Sequence, residues 1–232
     1  MFDKENDRRE PAPLTVGKPI LDRLSSEVTS IVTQALSPLS ADERNALHRQ
    51  SWFTIIRRDK NAFVATLAFE ATIERLQQSQ AKNGTVFIQE AVLMECIHYL
   101  VWCEGPLNTI LGEVCFLGVR AGFPFRSWRN SELVQLDSPQ DIMDTSVSLK
   151  AGYLQANHVT FPQGVFDPKV RNAIAHMDFK LTPEGDILYW SRLSGRPEHT
   201  TLWKLQRRVW ALRDVCITIE KTVADGIARY LQ

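Results

Sequence analysis

Charge of one sign is the first thing this chain lacks. Lys plus Arg and Asp plus Glu each number 27 among 232 residues, so the formal net charge at pH 7 is zero. That balance excludes a protein held to nucleic acid or an anionic membrane by its overall field, and leaves any such partner to a local patch. Cysteine is scarce as well. Cys96, Cys103, Cys115 and Cys216 stand in apolar surroundings with no Cys-x-x-Cys pair, which argues against a disulfide scaffold and against zinc spacing. No cationic secretory start is present, so the expected location is the cytoplasm. An uninterrupted apolar run is missing too: residues 86–119 are the most hydrophobic, but Glu90, Glu95, His98, Glu104, Asn108 and Glu113 break them up. Buried helices are expected there, and no membrane span. With no Gly-rich phosphate loop and no Gly-x-Ser-x-Gly elbow, neither a cofactor nor a metal site is expected.

What is present is the composition of a folded protein, 44% apolar and 23% charged. Residues 1–15, rich in charge and ending near two prolines, are expected to be a disordered tail; residues 16–232 are expected to form one helical domain. Ile20, Leu24, Val28, Ile31 and Leu36 form a helical stripe that stops at Ser37-Pro38. Ser40 and Glu43 are spaced as a capping box for a second helix through about residue 57. A third is expected over 62–78, with Asn83-Gly84 as its stop. Residues 86–103 and 106–119, apolar on most sides, are the candidate centre of the core. Residues 122–139 read as a long loop, and 141–158 as another helix.

Asp167-Pro168 has the form of an N-cap followed by proline in the first turn, opening a helix with Val170-Arg171-Asn172-Ala173-Ile174-Ala175-His176. A two-stranded hairpin with a Pro-Gly turn is expected over 179–190. From Thr200 a long last helix carries Leu202, Leu205, Val209, Leu212, Cys216, Ile219, Val223, Ile227 and Tyr230 at spacings of three and four. This seam is either the core of a bundle or part of a dimer face.

The run from Val170 to His176 is the place that looks built for chemistry. Asn172 and His176 are four apart and share a helix face, and Arg171 sits beside them with a fork of donors suited to phosphate. The alternative is structural: His176 as a satisfied core or interface side chain, Arg171 and Asn172 as groups that cap a neighbouring helix or hold the hairpin. The similar letters Arg44-Asn45-Ala46-Leu47-His48 have the wrong spacing and a more polar setting, and read as structural.

An Arg, a polar residue, three more positions and a His, followed by a hairpin and a long terminal helix, resembles the HEPN family. The resemblance rests on Arg171, Asn172 and His176 and is strongest over residues 141–232. It implies an all-α fold, a multi-helix bundle of HEPN type with a small β-hairpin inserted before the long C-terminal helix. It also implies a metal-independent endoribonuclease in a toxin–antitoxin or phage-defence setting, whose Arg and His meet across a homodimer in a composite cleft. An antitoxin or regulatory protein would be a further partner. Where some relatives carry a modifiable Tyr two residues after the His, this chain has Asp178.

Cleavage of RNA without metal needs a base for the ribose 2′-hydroxyl, an acid for the departing 5′-oxygen, and donors around the phosphorane. His176 suits the proton transfers near neutral pH. Arg171 would hold the scissile phosphate, and Asn172 would orient the His or the phosphate. Arg192, Arg196, Lys204, Arg207 and Arg208, with Arg213, form a basic stretch opposed locally only by Glu198 and Asp214. It reads either as an RNA-tracking patch or as a solvated helix face. Arg126, Trp128 and Arg129 are a weaker candidate, Trp128 being able to stack a base or to be simply buried. The runner-up function is a non-catalytic HEPN-like module that binds a nucleotide, RNA or a protein; a third is a structural interaction module.

Overall fold

Two long helices, one from each end of the chain, supply the frame. In the computed structural model, which describes residues 16–47, 53–83, 88–129, 131–162, 164–190 and 197–231, α1 spans Lys18–Leu36 and α9 spans Leu202–Leu231. The expected tail over 1–15 lies outside the described residues. α1 starts with Pro19 in its first turn, where a missing N–H costs nothing, and buries Leu24, Val28, Ile31, Val32 and Ala35. These meet α9, whose seam from Leu205 to Ile227 is buried within this one chain. The seam is therefore core. Close approach requires Gly226: a Cβ there would lie 2.7 Å from Val32 Cγ1.

Across this pair runs the most buried stretch. α4 (Ile88–Trp102) passes through a π turn (Cys103–Leu107) into α5 (Asn108–Arg120), so the two helices expected over 86–103 and 106–119 are joined. Pro106 has no N–H to donate, and a wider π turn accommodates it without a break. α5 is buried continuously from Thr109 to Gly118. Lys150 is fully buried against it, its Nζ donating to Asn108 Oδ1 (2.6 Å) and to the Met143 carbonyl (2.9 Å).

The capping box holds: Ser40 N–H donates to Glu43 Oε2 (2.7 Å), and Glu43 N–H to Ser40 Oγ (3.3 Å). The helix it opens, α2, is described only over Ala41–Leu47, and a separate α3 covers Phe53–Asn83. Expected boundaries at 57 and 62 are thus replaced by one longer helix that stops at Asn83. Arg44, in the motif-like run, donates to the carbonyls of Leu39 (2.9 Å) and Tyr230 (3.3 Å), a structural tie; His48 lies outside the described residues.

Three other expectations change. Residues 122–139 are not a plain loop: β1 (Arg126–Arg129) and β2 (Glu132–Gln135) form an antiparallel hairpin. Its strands are too short to display a period, and Ser131 turns the chain with φ of 67°. Residues 141–158 hold two helices, α6 (Pro139–Met143) and α7 (Val147–Ala156). Ser138 and Ser146 cap them, each hydroxyl accepting a backbone N–H three residues on. The hairpin after His176 is a three-stranded antiparallel sheet, β3 (Phe179–Leu181), β4 (Asp186–Trp190) and β5 (Pro197–Thr201), in the order β3-β4-β5. β5 was hidden because it buries only Thr200 and reads as polar. The fold is mainly helical with two small sheets, not purely helical with one hairpin. Among the described residues no helix is long and apolar enough to cross a membrane.

Candidate functional site

The short helix α8 (Pro168–Ala175) carries the Arg-Asn-His run, and Asp167 starts it. Asp167 Oδ1 accepts the N–H groups of Lys169 (3.0 Å) and Val170 (3.3 Å), satisfying two donors that the helix cannot. Val170, Ala173 and Ile174 are buried, against α4 and β4. With that face committed, Asn172, Ala175 and His176 are left exposed and Arg171 half-buried.

The helix is shorter than the spacing suggests. His176 is its C-cap, with φ of −100°, and Met177 follows at φ of 57°, turning the chain into β3. One helical hydrogen bond still reaches it: His176 N–H donates to the Asn172 carbonyl at 3.0 Å. The run therefore extends from the first turn of α8 to its end, rather than lying wholly in the opening turns.

Arg171 and Asn172 are brought together, Arg171 Nη1 donating to Asn172 Oδ1 at 2.7 Å. The same guanidinium is ion-paired to Glu104, which the π turn presents. A carboxylate on a guanidinium is the geometry that a phosphate oxygen would also take. His176 is exposed, and among the described residues its ring makes no hydrogen bond, to Arg171 or Asn172 or any other group. It is not a satisfied core histidine. Asp178 is exposed.

Among the described residues, the basic stretch is partly paired. Arg208 Nη2 is 2.9 Å from Asp167 Oδ2, both side chains about a fifth exposed (20% and 22%). Arg213 Nη1 lies 3.7 Å from Glu70 Oε2, and the Arg207 guanidinium sits 5.1 Å over the Trp203 ring. Lys204 is exposed. Arg192 and Arg196 lie outside the described residues. Counting acids along the local sequence missed Asp167 and Glu70, which come from other elements. Lys169 adds a further pair, to Glu198 at 2.7 Å, and Glu198 also accepts from the Tyr189 hydroxyl at 3.4 Å.

Sequence reasoning also missed an ionic cluster between α3, α4 and α9. His98 Nε2 is 3.1 Å from Glu70 Oε1, which accepts a second bond from Trp102 Nε1 at 3.0 Å. His98 Nδ1 is 3.2 Å from Glu95 Oε1, off the line of a good hydrogen bond. Burial alone would disfavour the charged ring, but the two carboxylates prevail and its pKa is pushed up to about 9. The cluster holds a buried imidazolium. Glu95 and His98 at i and i+3 were visible in the sequence, but the partner on α3 had no sequence mark. Burial pushes the Cys96 and Cys103 thiols up to about 12 and Cys115 well above its usual range, so none is a ready nucleophile. Among the described residues, no three His, Cys, Asp or Glu side chains are grouped to hold a metal ion.

Comparison with protein-family models, with curated proteins and with solved structures finds no match to this chain.

Proposed function

We propose that this protein is a HEPN-type, metal-independent endoribonuclease that works as a homodimer in the cytoplasm, with Arg171, Asn172 and His176 as its site. The observation that carries the reading is the arrangement on α8. A guanidinium and an amide are joined on its outward side, and an exposed imidazole that makes no hydrogen bond among the described residues stands at its end. A histidine free of hydrogen bonds can accept and return a proton, and Arg171 already binds an oxyanion in the form of Glu104. With two protomers face to face, one His176 would take the 2′-hydroxyl proton and the other would protonate the departing 5′-oxygen. The product would end in a 2′,3′-cyclic phosphate.

Exposed apolar side chains support the reading of a second protomer. Leu93 (40% exposed) and Ile97 (42% exposed) lie four apart on α4 and share a stripe leading toward Glu104. Met177, next to His176, is 74% exposed. Toxin–antitoxin or phage defence, with an antitoxin or other regulator, is the setting that the resemblance suggests.

The test is incubation of purified protein with mixed RNAs in excess EDTA, comparing wild type with His176→Ala and Arg171→Ala. Chelator-resistant cleavage lost in both variants is the expected result. A second reading draws on one observation, the Arg171–Glu104 ion pair. A guanidinium already held by a carboxylate is less available to a scissile phosphate, which weighs toward the non-catalytic module that binds a nucleotide, RNA or a protein. Wild type that cuts no RNA but retains ligand affinity would favour it.

A further inference from the structure

Between α5 and α6 the chain leaves the bundle as an arm. Phe125 and Leu136 fasten its base: both are buried, the Leu136 N–H donates to the Phe125 carbonyl at 2.8 Å, and the Phe125 ring stacks on Tyr153 with centroids 4.4 Å apart. Beyond that base β2 is exposed along its whole length. The register pairs Arg126 with Gln135 and Trp128 with Leu133. Directly paired side chains share a sheet face, as do residues two apart, so these four stand on one face of the hairpin. Trp128 is 72% exposed and Leu133 50%. An indole this open contributes little to folding, although aromatic burial is among the largest gains a side chain can bring. Gln135 is engaged, its amide donating to Asp137 at 2.8 Å. A flat ring, a leucine and a guanidinium two residues along are what the face offers.

We propose that this face is a platform for single-stranded RNA: an unpaired base stacks on the Trp128 indole, and Arg126 meets a neighbouring phosphate. Stacking of this kind tolerates any base, because every base has a π-face. Size and charge select the occupant. Four residues per strand give a face about 14 Å long, room for a short run of nucleotides but far short of the ~1,000 Å² that a stable protein interface needs. Residues 120–137 carry Arg120, Arg126 and Arg129 against Glu132 and Asp137, a local excess of one positive charge that favours an anionic strand. The choice of RNA over DNA rests on the endoribonuclease reading; the platform itself does not.

Fluorescence anisotropy of a labelled short oligouridine, with the full chain carrying His176→Ala, tests this directly. Adding Trp128→Ala should weaken binding at least about fivefold, the lower end of what one stacked base contributes. Trp128→Phe should stay within about twofold of the parent, because the ring is kept. Arg126→Ala should weaken binding and reduce the salt slope by about one. Duplex RNA, whose bases are already stacked, should be indifferent to Trp128→Ala. Circular dichroism checks that the exposed substitutions leave the fold intact. The platform is overturned by oligouridine affinity unchanged in Trp128→Ala, by no oligouridine binding at all, or by a lower light-scattering mass in that variant, which would make a second copy the occupant. Equal loss of oligodeoxyuridine binding would keep the platform and remove the preference for RNA. Wild-type cleavage that survives His176→Ala would sink the catalytic reading and leave the platform standing.

Discussion

Asp167 does two separable jobs for the candidate site, and replacing it in two ways measures each. One carboxylate oxygen caps α8 through two backbone N–H groups; the other meets Arg208 at 2.9 Å. Asp167→Asn keeps a capping oxygen, since Asn and Asp are about equal at this position, but removes the charge. Asp167→Ala removes both. The cap contributes about 1 kcal/mol. The ion pair is worth more than an exposed one, which gives at most about 1 kcal/mol, because both partners are about four-fifths covered. A charge-assisted bond of this kind is worth about 1.5–3 kcal/mol before discounting for its residual exposure. The expected losses are therefore about 1–2 kcal/mol for Asn and about 2–3 kcal/mol for Ala, read as shifts in urea midpoint at unchanged slope. The Ala variant should also lose more RNA cleavage, because α8 positions Arg171. Equal losses for Asn and Ala would refute the capping argument. Losses within about 0.5 kcal/mol of zero in both would refute the ion pair as well.

The buried imidazolium gives a pH dependence of known sign. His98 has its pKa raised from 6.5 to about 9, so it stays protonated in the folded state after the unfolded chain has released the proton. Its contribution, about 3 kcal/mol at most, is complete below about pH 6.5 and is lost as pH rises through about 9. Urea titrations across that window should show stability falling in wild type and a flatter profile in His98→Gln; parallel profiles would contradict the cluster. Gly226→Ala, which drives a Cβ to 2.7 Å from Val32 Cγ1, should cost about 1 kcal/mol after the helix-propensity gain is offset. In a double-mutant cycle Val32→Ala should relieve that cost, and strict additivity would show that the two helices do not meet as described.

Much of the helical frame was legible because its physics is local. The stripe of α1, the Ser40–Glu43 box, the Asp167-Pro168 start and the seam of α9 all follow from spacing along one element, and each is found where expected. The π turn was not, since Pro106 reads as a break until neighbouring helices hold the chain through it. The β1–β2 hairpin and β5 escaped because strands of four or five residues with mostly exposed side chains leave no period. At the site, the letters Arg171, Asn172 and His176 were readable, but their partners were not. Glu104 lies 67 positions from Arg171, and Asp167 lies 41 from Arg208. Charge balance counted along the sequence cannot see such pairs, which is why the basic stretch looked freer than it is. The end of α8 at Ala175 falls one residue before the change of period that the sequence shows after His176, and the chain turns there with Met177 in the left-handed region.

The central claim, RNA cleavage that depends on Arg171 and an exposed His176, is tested most directly by the chemistry of the cut ends. RNA incubated with the protein in excess EDTA and analysed by mass spectrometry should yield 5′ fragments ending in 2′,3′-cyclic phosphate, absent with His176→Ala. Fragments ending in 3′-hydroxyl, or cyclic ends undiminished in that variant, would contradict it.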